Sequence, residues 1–470
     1  CISIWSNSSS RFKMKEVTIV GAGLVGSLWA VYLSKAGYKV KIFERREDIR
    51  RADISAGKSI NLALSDRGFK ALDAVGVGDL IREIAIPMPG RMMHDLEGNL
   101  TFQAYGKEGQ AINSVSRGGI NARMMDIAEK VGGAKIFYSM KCTGADLEGG
   151  ICHFENTNTG EKTSIKSDLI FACDGAFSAV RYNAMQKLDR FNYSQMYIED
   201  GYREILLPAN EDGSYKLEKK ALHIWPRGRF MLIALPNEDG SFTCTLFMPF
   251  EGEKSFSQLK SRADVDDFFK ETFPDFYTMM PNIGEAWEDH PLSSLAITRC
   301  FPWHHGKMAL MGDAAHATVP FYGQGMNAGF EDCTVMNDLM IKHNHDWDKI
   351  LEEYSAFRKP DGDGLQDLSL HNYHVMRDHV ADPRFLLQKR IEARFSERHP
   401  EKWMPLYSMT TFSDIRYSVA WEEGQRQQKI MDEVMATEGI ESNWDSDEVE
   451  QKMLELIPAA LTPIDAKQAS

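Results

Sequence analysis

A short glycine-rich turn between two apolar segments constrains the fold more than any other part of the chain. Residues 17–20, Val-Thr-Ile-Val, predict a buried strand, and the turn over residues 21–26 reads Gly-Ala-Gly-Leu-Val-Gly. Apolar residues then recur at helical spacing, and a second apolar strand over residues 39–43 is followed by Glu44. Strand, glycine turn, helix and strand in this order predict a dinucleotide-binding unit.

The glycines of this turn have separate physical roles. Gly21 permits the tight turn, Gly23 lets a pyrophosphate approach the backbone, and Gly26 allows the helix to pack closely on the strand. The helix N-terminus offers free amides and the positive end of its dipole to phosphate groups. Glu44 is placed to accept hydrogen bonds from a ribose. The alternative interpretation is a glycine-rich turn followed by a surface glutamate.

Two arginines directly after Glu44 bear on which dinucleotide is bound. Arg45 and Arg46 would favour a 2′-phosphate and therefore NADP at this site. Glu44 would repel that phosphate, so we expect an unphosphorylated ribose. The predicted cofactor contacts in this unit are Gly21, Gly23, Leu24, Val25, Gly26, Glu44 and Arg45.

Composition excludes several classes of protein. The 470 residues are enough for two or three domains, and the formal charge of −14 argues against a nucleic-acid partner. Seven cysteines are scattered and never spaced C-x-x-C, which favours a reducing compartment. The histidine pairs lack H-E-x-x-H or companion ligands at metal-binding spacing, so we predict no metal site.

Neither end of the sequence predicts a membrane segment. Residues 1–13 are polar and serine-rich, and we interpret them as a disordered or non-native extension. No apolar run approaches the roughly 18 residues of a spanning helix, and residues 445–470 are acidic and then contain alanine and proline. We therefore expect a soluble, cytoplasmic protein without a transmembrane segment.

The rest of the chain predicts alternating helical and strand-rich parts. These are a helix over 66–84, a hairpin over 90–105, a helix over 121–130, short strands over 134–172, an antiparallel sheet over 197–250, a helix over 263–272, and helices from about 326 onward, broken near Pro360, Pro383 and Pro405.

Two further motifs follow the glycine turn. Residues 174–181 read Asp-Gly-Ala-Phe-Ser-Ala-Val-Arg, and residues 312–327 read Gly-Asp-Ala-Ala-His-Ala-Thr-Val-Pro-Phe-Tyr-Gly-Gln-Gly-Met-Asn. A two-domain nicotinamide dehydrogenase needs neither of them. The three motifs in this order resemble the class A flavoprotein aromatic hydroxylases over residues 15 to about 380. The resemblance implies an α/β fold: a glutathione-reductase-type FAD-binding Rossmann domain, an inserted antiparallel-sheet substrate domain and a C-terminal helical region.

The resemblance also divides the chain into domains. The predicted parts are an FAD-binding domain over 14–75, 106–190 and 290–365, a substrate-binding sheet domain over 76–105 and 191–289, and a helical region over 366–470.

Further cofactor contacts follow from the resemblance to this family. Asp313, after Gly312, would accept from the ribityl hydroxyls of non-covalent FAD, although it could also be a turn-forming aspartate. Amides around Gly325, Met326 and Asn327 would face the flavin N1–C2=O edge, where reduced flavin is negative. The remaining implied contacts are Ala63, Arg117, Asp174 and Arg181.

The resemblance says more about three of these contacts. Asp174 and Arg181 resemble the family motif near the FAD pyrophosphate that is linked to NAD(P)H use. Arg117 resembles the family arginine near FAD, although its surroundings are looser than the usual pattern and a salt-bridged surface arginine is the alternative.

Four stretches outside the flavin motifs resemble one branch of this family. They are residues 57–65, 89–92, 222–226 and 407–413, and the branch hydroxylates L-kynurenine at ring position 3 in tryptophan degradation. The resemblance implies NADPH and O₂ as co-substrates and a C4a-hydroperoxyflavin. No second Rossmann motif occurs, so we expect NADPH to bind transiently on the flavin domain. The alternatives are another class A hydroxylase with a different ring substrate, a flavin oxidase or dehydrogenase, and a flavin-binding module without turnover.

The same resemblance assigns the substrate site. The carboxylate would meet Arg91, Tyr105 and Asn372, since a guanidinium fork matches a carboxylate and a phenol and an amide can donate to it. Taken alone, these could be a strand-face arginine, a loop aromatic and an exposed helix residue. The other implied substrate contacts are Met231, Ile233, Leu235, Phe247, Pro320, Phe321, Gln324, Met376 and Tyr407.

Three of these implied contacts, Met231, Ile233 and Leu235, alternate along the chain and therefore share one face of a strand. Without the family resemblance they would be interpreted as sheet core. One residue departs from the family: Tyr322 stands where some relatives carry histidine after the Pro-Phe pair.

Eukaryotic relatives carry a membrane-anchoring C-terminus. Residues 445–470 of this chain contain no apolar anchor, which favours a bacterial-type enzyme. A homodimer is compatible with the sequence.

Overall fold

The computed structural model describes residues 15–51, 61–378 and 382–457, with the side chains of 377 and 378 left aside. The predicted extension over 1–13, the first four residues of the stretch 57–65, and the end of the predicted C-terminal segment from residue 458 lie outside the described residues.

The described strands are β1 Glu16–Val20, β2 Lys39–Phe43, β3 Asn61–Leu64, β4 Ile86–Met88, β5 Gly90–His94, β6 Leu100–Ala104, β7 Ile112–Ser116, β8 Lys135–Phe137, β9 Met140–Asp146, β10 Ile151–Asn156, β11 Lys162–Lys166, β12 Leu169–Ala172, β13 Asn192–Leu207, β14 Leu222–Pro226, β15 Met231–Pro236, β16 Phe242–Pro249, β17 Leu292–Phe301, β18 His304–His305 and β19 Met308–Leu310.

The described α-helices are α1 Leu24–Lys35, α2 Asp66–Asp73, α3 Gly78–Arg82, α4 Arg117–Lys130, α5 Ala179–Asn183, α6 Arg262–Thr272, α7 Pro274–Met279, α8 Ile283–Ala286, α9 Asp313–His316, α10 Gly325–Lys342, α11 Trp347–Asp378, α12 Pro383–Arg398, α13 Leu406–Thr411, α14 Tyr417–Met435, α15 Ile440–Asn443 and α16 Asp447–Leu456.

The predicted dinucleotide-binding unit forms the centre of a six-stranded sheet. The strand order is β18-β19-β12-β1-β2-β8, and β1 pairs in parallel with both β12 and β2. Residues 17–20 are buried, as expected for a parallel strand covered on both faces. Helices α1, α4, α10 and α11 contribute buried side chains to the same core. The predicted strand, glycine turn, helix and second strand are confirmed.

A seven-stranded mixed sheet forms the second layer, in the order β17-β13-β16-β15-β14-β5-β6. The predicted hairpin is confirmed as β5 and β6, which pair antiparallel. It joins the sheet through a parallel contact between β5 and β14, whereas the other pairs of this sheet are antiparallel. Strand β17 also pairs with β13, so this sheet extends past the predicted domain boundary at residue 290.

The two faces of this second sheet have different roles. One face packs against the helices from α6 to α8 in an aromatic-rich core that includes Trp225, Phe242, Phe269, Phe276 and Trp287. The opposite face carries the alternating residues Met231, Ile233 and Leu235. Alternation along β15 therefore places Leu232 and Ala234 in the aromatic-rich core, and Met231, Ile233 and Leu235 on the opposite face of the sheet.

Two helical predictions were wrong in detail. The single helix expected over 66–84 is two helices, because Gly76 adopts a positive φ of 75° that ends the first. The break expected at Pro360 does not occur, since α11 runs through it. Buried ion pairs on both sides of the proline hold the helix: Arg358 pairs with Asp332 at 3.0 Å, and Arg416 with Asp361 at 3.0 Å.

The C-terminal helices pack on this framework. Helix α14 lies against α11, and a separate apolar core joins α12, α14 and α16. The breaks predicted at Pro383 and Pro405 are confirmed, because Pro383 begins α12 and Pro405 precedes α13. Among the described helices, none combines the length and apolar character needed to cross a membrane.

Candidate active site

One cavity of about 1280 Å³ extends from the glycine turn to the inner face of the seven-stranded sheet. Every residue that the sequence assigned to the substrate lines it: Arg91, Tyr105, Met231, Ile233, Leu235, Phe247, Pro320, Phe321, Gln324, Asn372, Met376 and Tyr407. The assigned cofactor residues that line it are Gly21, Gly23, Leu24, Val25, Glu44, Arg45, Ala63, Arg117, Asp174, Asp313, Gly325 and Met326.

The glycine turn has the geometry that a pyrophosphate requires. Gly21 has φ of 100°, and a Cβ built on it would lie 2.5 Å from the Cys173 carbonyl oxygen. A Cβ on Gly23 would meet nothing within 4 Å, so its position faces open space that a side chain would fill. Helix α1 begins at Leu24 without a side-chain cap. Its first amides are therefore left for a phosphate group.

Glu44 is buried at the end of β2 and ionised. Its carboxylate accepts from the Ala22 amide at 2.9 Å and from Nε of Arg46 at 2.8 Å. Burial alone would raise the pKa of Glu44, but the hydrogen bonds from Arg46 and Ala22 hold it below its ordinary value. Arg46 is thus engaged by Glu44, whereas Arg45 is exposed on the cavity wall.

Two aspartates from the other motifs face the same end of the cavity. Oδ2 of Asp174 accepts from the Ala179 amide at 2.7 Å, while Oδ1 is buried without a partner among the described residues. Burial raises the pKa of Asp174. A buried polar atom without a partner is costly, and a ligand that supplies one removes that cost. Asp313 also lies on the cavity wall.

The N-terminus of α10 borders the middle of the cavity. The helix is 18 residues long, begins at Gly325, and has no side-chain cap at Gln324. Asn327 does not line the cavity. Its side chain accepts from the Ser65 amide at 2.8 Å and donates to the Ala63 carbonyl at 2.9 Å. Asn327 therefore fixes β3 against the start of α10.

Three other residues assigned to the cofactor lie behind the wall. A Cβ on Gly26 would come within 2.1 Å of the Gly21 carbonyl oxygen, and one on Gly312 within 2.9 Å of Val25. Arg181 is 1% exposed and donates to the carbonyls of Ala176, at 2.5 Å, and Ala314, at 2.7 Å. Through these two bonds, Arg181 ties the 174–181 motif to the 312–327 motif. The cavity end formed by these motifs fits FAD.

The opposite end of the cavity holds an arginine among tyrosines. The Arg91 guanidinium lies 5.3 Å from the ring centre of Tyr105 and 5.8 Å from that of Tyr407. Tyr105 and Tyr407 stack at 5.2 Å, and Tyr322 stacks on Tyr407 at 5.9 Å. No carboxylate in the described part of the chain pairs with Arg91. A cation held on aromatic faces without a counter-ion suits a ligand carboxylate.

The tyrosine hydroxyls are neutral donors. Burial raises the pKa of Tyr105 and of Tyr322, and raises that of Tyr407 to about 12. Arg91 acts in the opposite direction on each pKa but does not overcome burial. All three phenols therefore keep their protons at neutral pH and can donate to an anion.

The apolar wall comes from the sheet and from the loop before α10. Met231 and Phe247 are 7% and 4% exposed and belong to one apolar cluster, against which Ile233 and Phe321 pack. The rings of Phe247 and Phe321 lie 5.1 Å apart. This surface can enclose an aromatic ring and exclude water.

Two amides near the wall are oriented by the protein. Asn372 donates through Nδ2 to the Phe321 carbonyl at 2.7 Å, so this amide also supports the 320–322 loop. Oε1 of Gln324 accepts from the Tyr417 hydroxyl at 2.9 Å. The Gln324 amide group thereby presents its nitrogen as the remaining donor.

Many residues of the wall were not assigned from the sequence. Toward the apolar part of the wall they include Tyr202, Leu222, Ile224, Ser294, Leu295 and Tyr322. Leu222 and Ile224 alternate with His223, a period-2 signal that could have been used. Tyr202 and Ser294 reach the cavity through the long pairing of β13 with β17, for which the sequence has no local signal.

The fold and this cavity define an FAD-binding protein, and sequence comparison agrees. The family model for the FAD binding domain matches residues 14–369. Among solved structures, 2-methyl-3-hydroxypyridine-5-carboxylic acid oxygenase has a similar fold, with a TM-score of 0.64 at 19% identity. That match covers 79% of this chain and 95% of the oxygenase.

Curated relatives match over almost the whole chain. The kynurenine 3-monooxygenase of Flavobacterium johnsoniae is 51% identical over 94% of this chain and 98% of its own length. That of Flavobacterium psychrophilum is 49% identical over 95% of this chain and 99% of its own. The chain therefore belongs to the kynurenine 3-monooxygenase family of FAD-dependent monooxygenases.

Proposed function

We propose that this enzyme hydroxylates L-kynurenine at ring position 3 with FAD, NADPH and O₂, forming 3-hydroxykynurenine. The observation that carries the proposal is Arg91, a guanidinium without a carboxylate partner in the described residues, at the end of a cavity whose other end fits FAD. A substrate bound between them presents a carboxylate to Arg91 and an aromatic ring toward the flavin.

The carboxylate end of the proposed site is polar. Arg91 supplies the charge, and the rings of Tyr105 and Tyr407, which carry neutral hydroxyls, lie 5.3 and 5.8 Å from its guanidinium. Charge-assisted hydrogen bonds of this kind are stronger than neutral ones and fix orientation. The amino-acid end of the substrate is thus held at one place, which sets how far its ring reaches.

The ring end of the proposed site is apolar. Met231, Ile233 and Phe247 form a surface that excludes water from the reacting carbon. The substrate's own aromatic amine activates the neighbouring ring position, so the protein needs no strong base for the attack. The protein contributes by positioning the substrate ring and by excluding water from the site.

The chemistry that bound FAD supplies is hydride transfer from NADPH and activation of O₂. In the proposed holoenzyme, the glycine turn and the start of α1 hold its pyrophosphate, and Glu44 its ribose. Asp313 accepts from the ribityl chain. The amides at Gly325 and Met326 stabilise negative charge that develops on the ring system.

A direct assay tests this function. The purified yellow protein should oxidise NADPH slowly alone and faster when kynurenine is added, with 3-hydroxykynurenine formed in step. Anthranilate and salicylate serve as matched ring controls without the amino-acid carboxylate. Stimulation without hydroxylated product would contradict the proposal, as would equal stimulation by the controls. Acid should release the flavin, because no covalent attachment is proposed.

A further inference from the structure

Two buried histidines contact each other behind the strand that carries Arg91. His94 ends β5, and His223 lies on the neighbouring strand β14. Nδ1 of His94 is 2.7 Å from Oδ2 of Asp275, and Nε2 of His94 is 2.9 Å from Nδ1 of His223. Nε2 of His223 is 2.8 Å from the Glu218 carbonyl oxygen. The two histidines are only 2% and 1% exposed, so the contact between the two rings is shielded from solvent, whereas the Asp275 side chain is 22% exposed.

The hydrogen bonds fix the number of protons in this chain. The Glu218 carbonyl and the ionised Asp275 only accept, so Nδ1 of His94 and Nε2 of His223 each carry a proton. The contact between the two rings needs a third. Two imidazoles with three protons include one imidazolium. Two neutral rings would instead direct lone pairs at each other across 2.9 Å.

Of the two rings, His94 carries the extra proton, because its Nδ1 faces the Asp275 carboxylate at 2.7 Å. Burial lowers the pKa of His223 to about 4, which is consistent with a neutral His223. Burial would raise the pKa of Asp275, but hydrogen bonds from His94 and from the Trp225 indole, at 2.9 Å, hold it below its ordinary value. The Asp275 carboxylate therefore offsets the His94 imidazolium.

Four other charged groups surround the pair: Arg227, Asp95, Glu97 and Glu218. Arg227 follows β14 and donates to the carbonyls of His94, at 3.0 Å, and Thr272, at 2.6 Å. Asp95 and Glu97 in the β5–β6 turn act on Arg227, and Glu218 acts on His223. On β15 the residue opposite His223 is Ala234, and on β6 the residue opposite His94 is Leu100.

The placement of the pair ties it to the cavity. β5 pairs with the main part of the sheet through its short parallel contact with β14, in which Arg91 is opposite Leu222 and Met92 is opposite His223. Its other neighbour, β6, is an edge strand whose residues are all exposed. The position of Arg91 therefore depends on the β5–β14 contact.

We infer that His94 and His223 are positioning residues for substrate binding, which share an imidazolium proton that holds β5, and with it Arg91, against β14. The inference rests on the proposed role of Arg91. Loss of the proton as pH rises makes the ring contact repulsive and loosens the strand, so substrate affinity falls.

The test is a titration of the holoenzyme with kynurenine, followed by flavin absorbance, from about pH 5.5 to about pH 8.5, where histidine titrates. In the parent, affinity should fall as pH rises. His223→Phe should bind weakly at every pH, roughly two- to thirtyfold below the low-pH parent, as for residues that act on a site through others. KM should rise with kcat at saturation unchanged. His153→Phe, which removes an exposed histidine on β10, should keep the parental profile.

The inference would be overturned if the kynurenine affinity of the parent were as independent of pH as that of His223→Phe. It would also be overturned if the affinity of His223→Phe still fell as pH rises. Should His223→Phe not fold, Asp275→Asn makes the same test, because an amide cannot offset the imidazolium. Nitrogen NMR of histidine-labelled protein tests the shared proton without kynurenine. At neutral pH the parent should show one buried imidazolium that His223→Phe lacks, and its absence from the parent refutes the shared proton. A parent that binds no kynurenine at any pH refutes the proposed function, and the NMR result then decides alone whether the two histidines share a proton.

Discussion

The two ends of the cavity are built from different parts of the chain. At the end that fits FAD, here called the cofactor end, the wall is largely backbone: the Gly21–Gly23 turn, the start of α1 and the start of α10. At the end proposed for the substrate, here called the substrate end, the wall consists of side chains from distant segments, with Arg91 on β5, Ile233 on β15 and Tyr407 on α13. The first end is therefore specified by short contiguous motifs, and the second by strand register and helix packing.

The difference extends to the residues behind each wall. At the cofactor end, Arg181 and Asn327 bond to backbone carbonyls and amides of neighbouring motifs. At the substrate end, Asn372 supports the Phe321 carbonyl and Tyr417 orients Gln324. A change at the first end should therefore affect flavin retention, and a change at the second should affect substrate binding with FAD content unaltered.

The largest separation of the two ends is expected from Arg91→Ala. Removing one partner of a buried charge pair costs roughly 2–5 kcal/mol. Since about 1.4 kcal/mol is tenfold, kynurenine binding should weaken on the order of 30-fold or more. FAD content should not change. Titrating kynurenine against the flavin absorbance of parent and variant measures the effect.

The matched control is Arg229→Ala, which removes an exposed arginine paired with Glu199 at 2.9 Å. Exposed pairs of this kind contribute about 0.2–1 kcal/mol to stability, and Arg229 is outside the cavity wall, so its kynurenine affinity should stay parental. Equal affinities in all three proteins would remove Arg91 from the carboxylate site.

The converse change is Asp313→Ala at the cofactor end. Hydrogen bonds to a charged group contribute about 1.5–3 kcal/mol, so FAD should dissociate more readily from this variant. Kynurenine affinity of the fraction that retains FAD should remain parental. Flavin content after gel filtration reports the loss, and Asp313→Asn, which keeps one acceptor oxygen, should retain more FAD than the alanine variant. Parental FAD content in Asp313→Ala would exclude it from the ribityl contact.

The difference between the two ends also determines which site residues can be predicted from the sequence alone. Gly21 and Gly23 lie within one turn whose spacing itself predicts a pyrophosphate site, so their location follows from the sequence, whereas Asp313 was assigned to the same end by the family resemblance. Arg91 and Tyr407 came from a family resemblance, because no local pattern brings a strand and a helix more than 300 residues apart together. Tyr202 and Ser294 were missed since only the β13–β17 register places them on the wall.

The helical errors have similar causes. The positive φ of Gly76 divides the helix expected over 66–84, a turn that apolar spacing alone does not reveal. At Pro360 the tertiary structure overrides a local preference, because Arg358 pairs with Asp332 on α10, and Asp361 pairs with Arg416, which directly precedes α14. Each of these two pairs joins residues that are far apart in the sequence.

Within the substrate end, one strand offers a sharper comparison. Ile233 faces the cavity, and its neighbour Leu232 faces the aromatic-rich core at 0% exposure. Ile233→Ala should weaken kynurenine binding by about 1–3 kcal/mol, the range for apolar groups in a binding pocket. It should also release more hydrogen peroxide per NADPH, because the site is wetter. Leu232→Ala should instead lower the free energy of unfolding by about 2–5 kcal/mol. A peroxide yield that rises equally in both variants would contradict the division of the faces.

The smallest effect is expected at Glu44, where pH supplies the test. Hydrogen bonds from Ala22 and Arg46 hold the pKa of Glu44 below its ordinary value despite burial. A carboxylate with a lowered pKa stabilises the folded state above its unfolded value, about 4.3, and that contribution is lost as pH falls through the folded value. Glu44→Gln should therefore cost about 1 kcal/mol of stability at neutral pH, the size of one hydrogen bond. The difference in denaturation temperature between the two holoenzymes should shrink below about pH 4. A difference that stays constant across this range would show that the ionised carboxylate does not support the glycine turn.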